Sequence, residues 1–338
     1  MRSPRPRGAS PTNDLPPGGP RDGLALGIDL GATKVAAVVL DRKGRVVRHS
    51  GRFLHGNDGP GPVLDVLLRA ARTCWPAGTR PPPVVGISVA AQVERGTGRV
   101  LHAPNLRWRN VDLGRQVARA LGAPVRVLND GRAAAFAEWK LGAGVGSSDL
   151  FYLALGTGVG GSAVVGGQLL EGARNAAGEV GHLVVVSGGR RCHCPGRGCF
   201  EAYVGGWGVA DRAREAIRTD PRAGRGLLAR SGALAAVRAE DVFARSREGD
   251  PLARALLRAT DQYLADGAVS VVNAFNPSRL VVGGGMLTGR PEFVAVIRRA
   301  IRTRCQPPAA TASVVSARLG EDAPAIGAAA WARQFVPG

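Results

Sequence analysis

Three cysteines fall within eight residues, Cys192-His193-Cys194-Pro195-Gly196-Arg197-Gly198-Cys199, and Gly178-Glu179-Val180-Gly181-His182 lies just upstream. Three thiolates and one imidazole make a closed tetrahedral set for Zn²⁺, the structural type that leaves no open catalytic position. Cys192 and Cys194 stand closer together than the usual C-x₂₋₄-C spacing, and Gly196 and Gly198 help the loop wrap. His182 is the preferred fourth ligand, because a strand-borne histidine would tie the loop to the body of the protein. His193 competes for the same position. Reactive or merely buried thiols are the plainer account, and the isolated Cys74 and Cys305 read that way. Glu179 and Glu201 flank the cluster. Exposed glutamates are ordinary, but a metal-stiffened loop carrying two carboxylates is also a good way to bind several hydroxyls of a sugar.

A second group of residues has the chemistry of phosphate binding. In Asp29-x-Gly31-x-Thr33-Lys34 the glycine lets backbone approach a phosphate and aim N–H groups at it, and the Thr33 hydroxyl adds a donor. Asp29, closing an apolar run, can hold Mg²⁺ directly or through water. An ordinary hairpin uses the same residues. The device recurs in Gly156-Thr157-Gly158-Val159-Gly160-Gly161, and two such turns facing each other would clamp a nucleotide. A third run, Gly283-Gly284-Gly285, either accepts the adenosine by close backbone approach or simply turns a strand into a helix. No G-x-x-x-x-G-K-[ST] occurs, so this is not a P-loop protein.

Asn129-Asp130 sits between an apolar strand and an Ala-rich helix. Asn and Asp are preferred helix caps. The same position suits a general base, since a helix N-terminus stabilises an ionised carboxylate and strand ends in α/β sheets open into ligand crevices. Phosphoryl transfer needs positioning, charge neutralisation and one group to accept the hydroxyl proton. Asp130 fills that role in this reading, with Asn129 holding a neighbouring hydroxyl.

The elements that must position these residues follow from apolar periodicity. Leu24–Leu40 reads as strand, glycine turn and strand, Arg45–Phe53 as a third strand, Pro62–Cys74 as a helix and Val84–Val89 as a buried strand. Val111–Leu121 is an amphipathic helix, Val125–Leu128 a strand and Gly131–Leu141 a helix. Strands return at Leu150–Leu155 and Gly161–Val165. Helices follow at Trp207–Ile217, Ala239–Arg245, Pro251–Phe275 and Pro291–Arg304, with a strand at Arg279–Val282 and a closing helix at Ala323–Phe335. The strand–turn–strand unit recurs about 127 residues apart, from Gly31 to Gly158, which suggests two related halves of an α/β protein. The reading is a tail over residues 1–22 without order and a first lobe over 23–128, closed by a C-terminal helix at 323–336. A second lobe over 129–322 carries the zinc-binding loop 182–199.

Composition narrows the class. With 338 residues, 45% of them hydrophobic, the chain can bury a large core. No apolar run reaches the roughly 20 residues of a membrane span, and the Pro-, Gly- and Arg-rich start lacks a signal peptide's apolar stretch, so a cytoplasmic location is expected. The net charge of +19 invites a nucleic-acid partner. Only three of 45 basic residues are lysines, and the arginines are scattered instead of clustered, which argues against one.

Together these motifs resemble the ROK family of bacterial repressors, open reading frames and sugar kinases, over about Leu24 to Phe335. The resemblance rests on Asp29-x-Gly31-x-Thr33, Ala103-Pro104-Asn105-Leu106, Asn129-Asp130, Gly156–Gly160, Gly178-Glu179-x-Gly181-His182 and the Cys192–Glu201 run. It implies a two-lobe, actin-like ATPase (ribonuclease H-like) fold with the active-site cleft between the lobes. It implies an ATP-dependent kinase acting on the 6-hydroxyl of a hexose, most simply D-glucose, with Mg²⁺ on the phosphates. N-acetylmannosamine, fructose and other hexoses are alternatives, and so is polyphosphate as donor. Sugar contacts would come from Asn105, Asn129, Asp130, Glu179, His182 and Glu201, with His182 binding zinc through one ring nitrogen and sugar through the other. A homodimer or higher oligomer is expected. A sugar-responsive repressor would need a helix-turn-helix domain, and only about 23 residues precede the core. Two departures stand out: Ala90-Ala91 replaces the family's Pro-Gly, and Pro195 replaces the glycine after the second cysteine.

Overall fold

Leu26, Ile28 and Leu30 are wholly buried along β1 (Ala25–Leu30), the strand around which the first half of the chain is built. The computed structural model describes residues 23–75 and 81–335, so the expectation for residues 1–22 lies outside it. β2 (Lys34–Leu40) pairs antiparallel with β1 across the Gly31 turn, and β3 (Val46–Leu54) pairs antiparallel with β2. β4 (Val85–Val89) then runs parallel to β1. A small antiparallel sheet of β5 (Gln92–Val93), β6 (Val100–Ala103) and β7 (Trp108–Val111) follows. β8 (Val125–Asn129) completes the main sheet parallel to β4, giving the order β3-β2-β1-β4-β8.

The second half repeats this plan. β9 (Leu150–Leu155) pairs antiparallel with β10 (Val159–Val165), which pairs with the short β11 (Gln168–Leu169). β12 (Arg279–Gly283) lies parallel to β9, and β13 (Ser313–Ser316) parallel to β12. The order β11-β10-β9-β12-β13 has the same sequence of antiparallel and parallel neighbours as the first sheet. The recurrence read from the two glycine turns is therefore a recurrence of whole sheets.

Two compact units result, one of residues up to Ala137 together with those from Asp322 onward, the other Glu138–Glu321. The division falls inside the helix Asp130–Leu141. The reason is local packing. The helix Ala323–Ala332 lies on β1 and β4. Side chains on the paired Gly27 and Gly86 would strike its Ala325 and Ala328 carbonyls, so glycine is what permits the approach. Gly327 of that helix rests in turn against the carbonyl of Ala133, which holds the first turns of Asp130–Leu141 to the first unit. The closing helix stops at Ala332 and ends in a 3₁₀ turn, Arg333–Phe335, and residue 336 lies outside the described range.

The second unit is organised by the 25-residue helix Pro251–Phe275. Asp250 caps it by accepting from the Ala253 amide at 3.0 Å, Pro251 stands at its first position, and Asn276 ends it at φ 42°. Helices Ala239–Arg247 and Phe293–Arg304 pack on it. The predicted helix at Val111 begins instead at Leu113, because Val111 is paired with Val100 in the small sheet. Among the described residues no helix is long and apolar enough to cross a membrane.

Candidate active site and metal centre

In the first unit the Asn129-Asp130 pair divides its labour. Asn129 Oδ1 accepts from the Arg132 amide at 3.2 Å, so asparagine is the helix cap. Its Nδ2 donates to Asp130 Oδ1 at 3.0 Å and reaches the Ala91 carbonyl at 3.4 Å, within the Ala90-Ala91 departure. Asp130 opens the helix and accepts the Gly131 amide at 2.9 Å. Burial raises its pKa, and the Gly131 and Asn129 hydrogen bonds only partly oppose this. The carboxylate thus leaves the Arg132 amide to Asn129 and is more basic than an exposed one.

Asp29, near the end of β1, accepts from Ser88 Oγ at 2.9 Å. Burial pushes its pKa up to about 7, against that hydrogen bond and with help from the negative charges of Asp130 and Asp322. The Gly31 amide donates to the Lys34 carbonyl at 2.9 Å, closing the hairpin, and is not aimed outward at a phosphate. Thr33 and Lys34 are exposed at the turn. His55, which sequence reasoning missed, anchors this turn: its amide donates to the Thr33 carbonyl at 3.0 Å and its Nε2 lies 3.1 Å from the Gly31 carbonyl oxygen. Asn105 is exposed on a 3₁₀ turn between β6 and β7, where its carbonyl accepts from Asn57 Nδ2 at 2.9 Å.

In the second unit Glu201 is bound to the second glycine turn. Its Oε2 accepts from the Val159 amide at 2.9 Å and its Oε1 from Trp207 Nε1 at 3.1 Å. A side chain at Gly158 would collide with this carboxylate. The Gly156 amide closes the turn on the Gly158 carbonyl at 3.0 Å, while Gly160 continues into β10. Gly178, at φ 95°, and Gly181 lie directly on the Gly161 and Val159 carbonyls, so the turn carrying the exposed Glu179 and His182 is pressed onto β10.

A cavity of about 420 Å³ joins two of the predicted phosphate and adenosine elements. Gly156 and Thr157 line it with Trp207, Arg214, Arg238 and Gly285. Gly283 and Gly284 do not line it. They make room for the Tyr152 hydroxyl and the Leu155 carbonyl, with Gly284 at φ 99°. Of the three, Gly285 lines the cavity.

The ligand atoms of His182, Cys192, Cys194 and Cys199 all lie within 4.8 Å of one another. His182 Nδ1 is 3.7 Å from Cys192 Sγ, and the Cys194 and Cys199 sulfurs are 3.6 Å apart. Ligands about 2.3 Å from a tetrahedral ion stand about 3.8 Å from each other, so this donor set fits a zinc-sized cation. The choice between the histidines falls to His182. The His193 ring stacks instead on Trp207, with centroids 3.9 Å apart and planes at 17°.

Two sheets of one topology, each with a strand–turn–strand opening, define an α/β protein of the actin-like ATPase class. The ROK family model matches residues 25–335, and the chain belongs to the ROK family. It is 32% identical over 324 residues to a glucokinase of Streptomyces coelicolor, covering 93% of this chain and 99% of that one. It also resembles a ROK family glucokinase from Streptomyces griseus in complex with glucose and AMPPNP, at 33% identity and a TM-score of 0.78. That match covers 92% of this chain and all of the other. A ROK family transcriptional regulator, a homologue of the E. coli MLC protein, aligns with a TM-score of 0.79 at 25% identity, over 92% of this chain and 78% of its own.

Proposed function

We propose that the chain is an ATP-dependent hexose kinase that phosphorylates the 6-hydroxyl of D-glucose. The observation that carries this is Asp130, a half-buried carboxylate at a helix start, where Asn129 takes the Arg132 amide. The sugar oxygen attacks the γ-phosphorus of ATP, its proton passes to Asp130, and the bond from phosphorus to the β,γ-bridging oxygen breaks to release ADP. Asp29 would hold Mg²⁺ arriving with the nucleotide, directly or through water, and the ion would neutralise charge on the phosphates. The turn at Gly156-Thr157 and Gly285 hold the nucleotide in the cavity they line. The glucokinase relatives support glucose as acceptor, and the AMPPNP complex supports a nucleotide donor.

His182, Cys192, Cys194 and Cys199 would hold Zn²⁺, which stiffens the loop without joining the reaction. Ligation through Nδ1 fixes the tautomer that leaves His182 Nε2 to a sugar hydroxyl, beside Glu179 and Glu201. Asn105 and Asn129 would hold further hydroxyls. An ADP-release assay over glucose, mannose, fructose, N-acetylmannosamine and N-acetylglucosamine tests the reading, with a parallel polyphosphate arm. The highest kcat/KM is expected for glucose with ATP. Saturable glucose binding without turnover of any sugar would overturn the kinase reading in favour of a sugar-responsive regulator.

A further inference from the structure

Trp207 takes part in three contacts that join parts of the second unit remote from one another in sequence. Its face stacks on His193, the residue between the first two cysteines of the metal loop, at 3.9 Å and 17°. Its Nε1 donates to Glu201 Oε1 at 3.1 Å, and the other oxygen of that carboxylate accepts the Val159 amide at 2.9 Å. Its own amide donates to the Thr157 carbonyl at 3.1 Å. The indole also lines the cavity formed with Gly156, Thr157 and Gly285. An indole can meet this geometry in only a narrow range of orientations, because face, N–H and backbone are all engaged. A loop held at Cys192 and Cys194 fixes the backbone from which His193 projects.

We propose that His193 is a positioning residue for the nucleotide. Its ring holds Trp207 in the orientation that keeps Glu201 on the Val159 amide, so the order of the cysteine loop sets the shape of the glycine turn that receives phosphate. His193 itself is no metal ligand and touches no nucleotide; it acts through the indole. The inference rests on the proposed kinase reading for the identity of the cavity's ligand. It assigns a role to the one histidine of the loop that the metal leaves over.

The test is calorimetric titration of the zinc-loaded protein with MgADP, alongside metal analysis of each variant. His193→Ala is expected to weaken MgADP binding about three- to tenfold, the range one aromatic stack can supply. Zinc content should stay at the wild-type level. His193→Phe keeps a flat ring without ionisable nitrogens and should restore affinity to within about twofold of wild type. Trp207→Phe keeps the ring but removes the N–H, so it should weaken binding, and adding His193→Ala to it should cost less than about twofold more. The proposal is overturned if His193→Ala binds MgADP like wild type, or if Phe fails to rescue. Loss of zinc from His193→Ala or wild-type affinity in Trp207→Phe would overturn it as well. Wild type that takes up no MgADP would instead overturn the nucleotide reading, and the proposal with it.

Discussion

Replacing Asp29 by Asn removes one negative charge from the first unit while preserving its shape and the oxygen that accepts from Ser88 Oγ. The folded carboxyl titrates at about 7, against 3.8 when unperturbed, with burial as the main cause. Between these values the folded state binds more protons than the unfolded state, so unfolding free energy falls as pH rises from about 4 to about 7 and stays low above. A three-unit difference corresponds to about 4 kcal/mol. The side chain is only half-buried by surface exposure, so solvent screening reduces the expected gain for Asp29→Asn at pH 8 to about 2–4 kcal/mol. Thermal unfolding at pH 5 and pH 8, without nucleotide or Mg²⁺, should show the variant's melting temperature higher at pH 8 by about 5 °C or more. The difference should shrink at pH 5. Parallel melting curves at the two pH values would refute the argument, as would an NMR titration placing the Asp29 carboxyl below about 5. The same substitution should depress turnover with MgATP, so that a stabilised protein is a poorer catalyst.

Asp130→Asn should lower kcat by about 10²–10⁴-fold while glucose affinity, read by calorimetry, stays within about threefold; more than a few per cent residual turnover removes Asp130 from the base role. Glu138 is fully buried and accepts the amides of Arg318 at 2.8 Å and of Leu319 and Ala143 at 2.7 Å each. Glu138→Ala strands these donors and should cost about 3–5 kcal/mol in denaturant unfolding. Cys194→Ser should reduce bound zinc well below about one ion per chain and lower the melting temperature; an active wild type free of metal would remove zinc from the account.

The glycine turns were legible as turns because each stands between two apolar strands that pair antiparallel. What each glycine makes room for was not legible: a side chain at Gly158 would strike the Glu201 carboxylate, and one at Gly284 the Leu155 carbonyl, partners far off in sequence. The grouping of His182 with Cys192, Cys194 and Cys199 was legible because few uses other than metal binding put three cysteines within eight residues. The division of roles in Asn129-Asp130 was not, since both side chains cap helices equally well and only the hydrogen bond to Arg132 tells which one does. The small sheet β5–β7 escaped because strands of two to four residues are too short to show alternation. Trp207 looked like an ordinary helix residue. Its importance arises from His193, Glu201 and Thr157 together, a convergence that no spacing rule encodes.

The helix Ala323–Ala332 lies on strands laid down near the start of the chain, with Gly27 and Gly86 as its seat. During synthesis those strands emerge some 240 residues before the helix that covers them, counting from Gly86 to Ala325. The second unit is one uninterrupted stretch, so it has its whole sequence first. The nascent first unit must wait with one sheet face bare, Val38 and Leu40, which pair with Gly27 and Ala25, within reach of other apolar surfaces. A ribosome stalled after residue 321 should therefore display a protease-resistant second unit and a protease-sensitive first one. A truncation that removes the closing helix should aggregate through the half of the protein farthest from the cut in sequence.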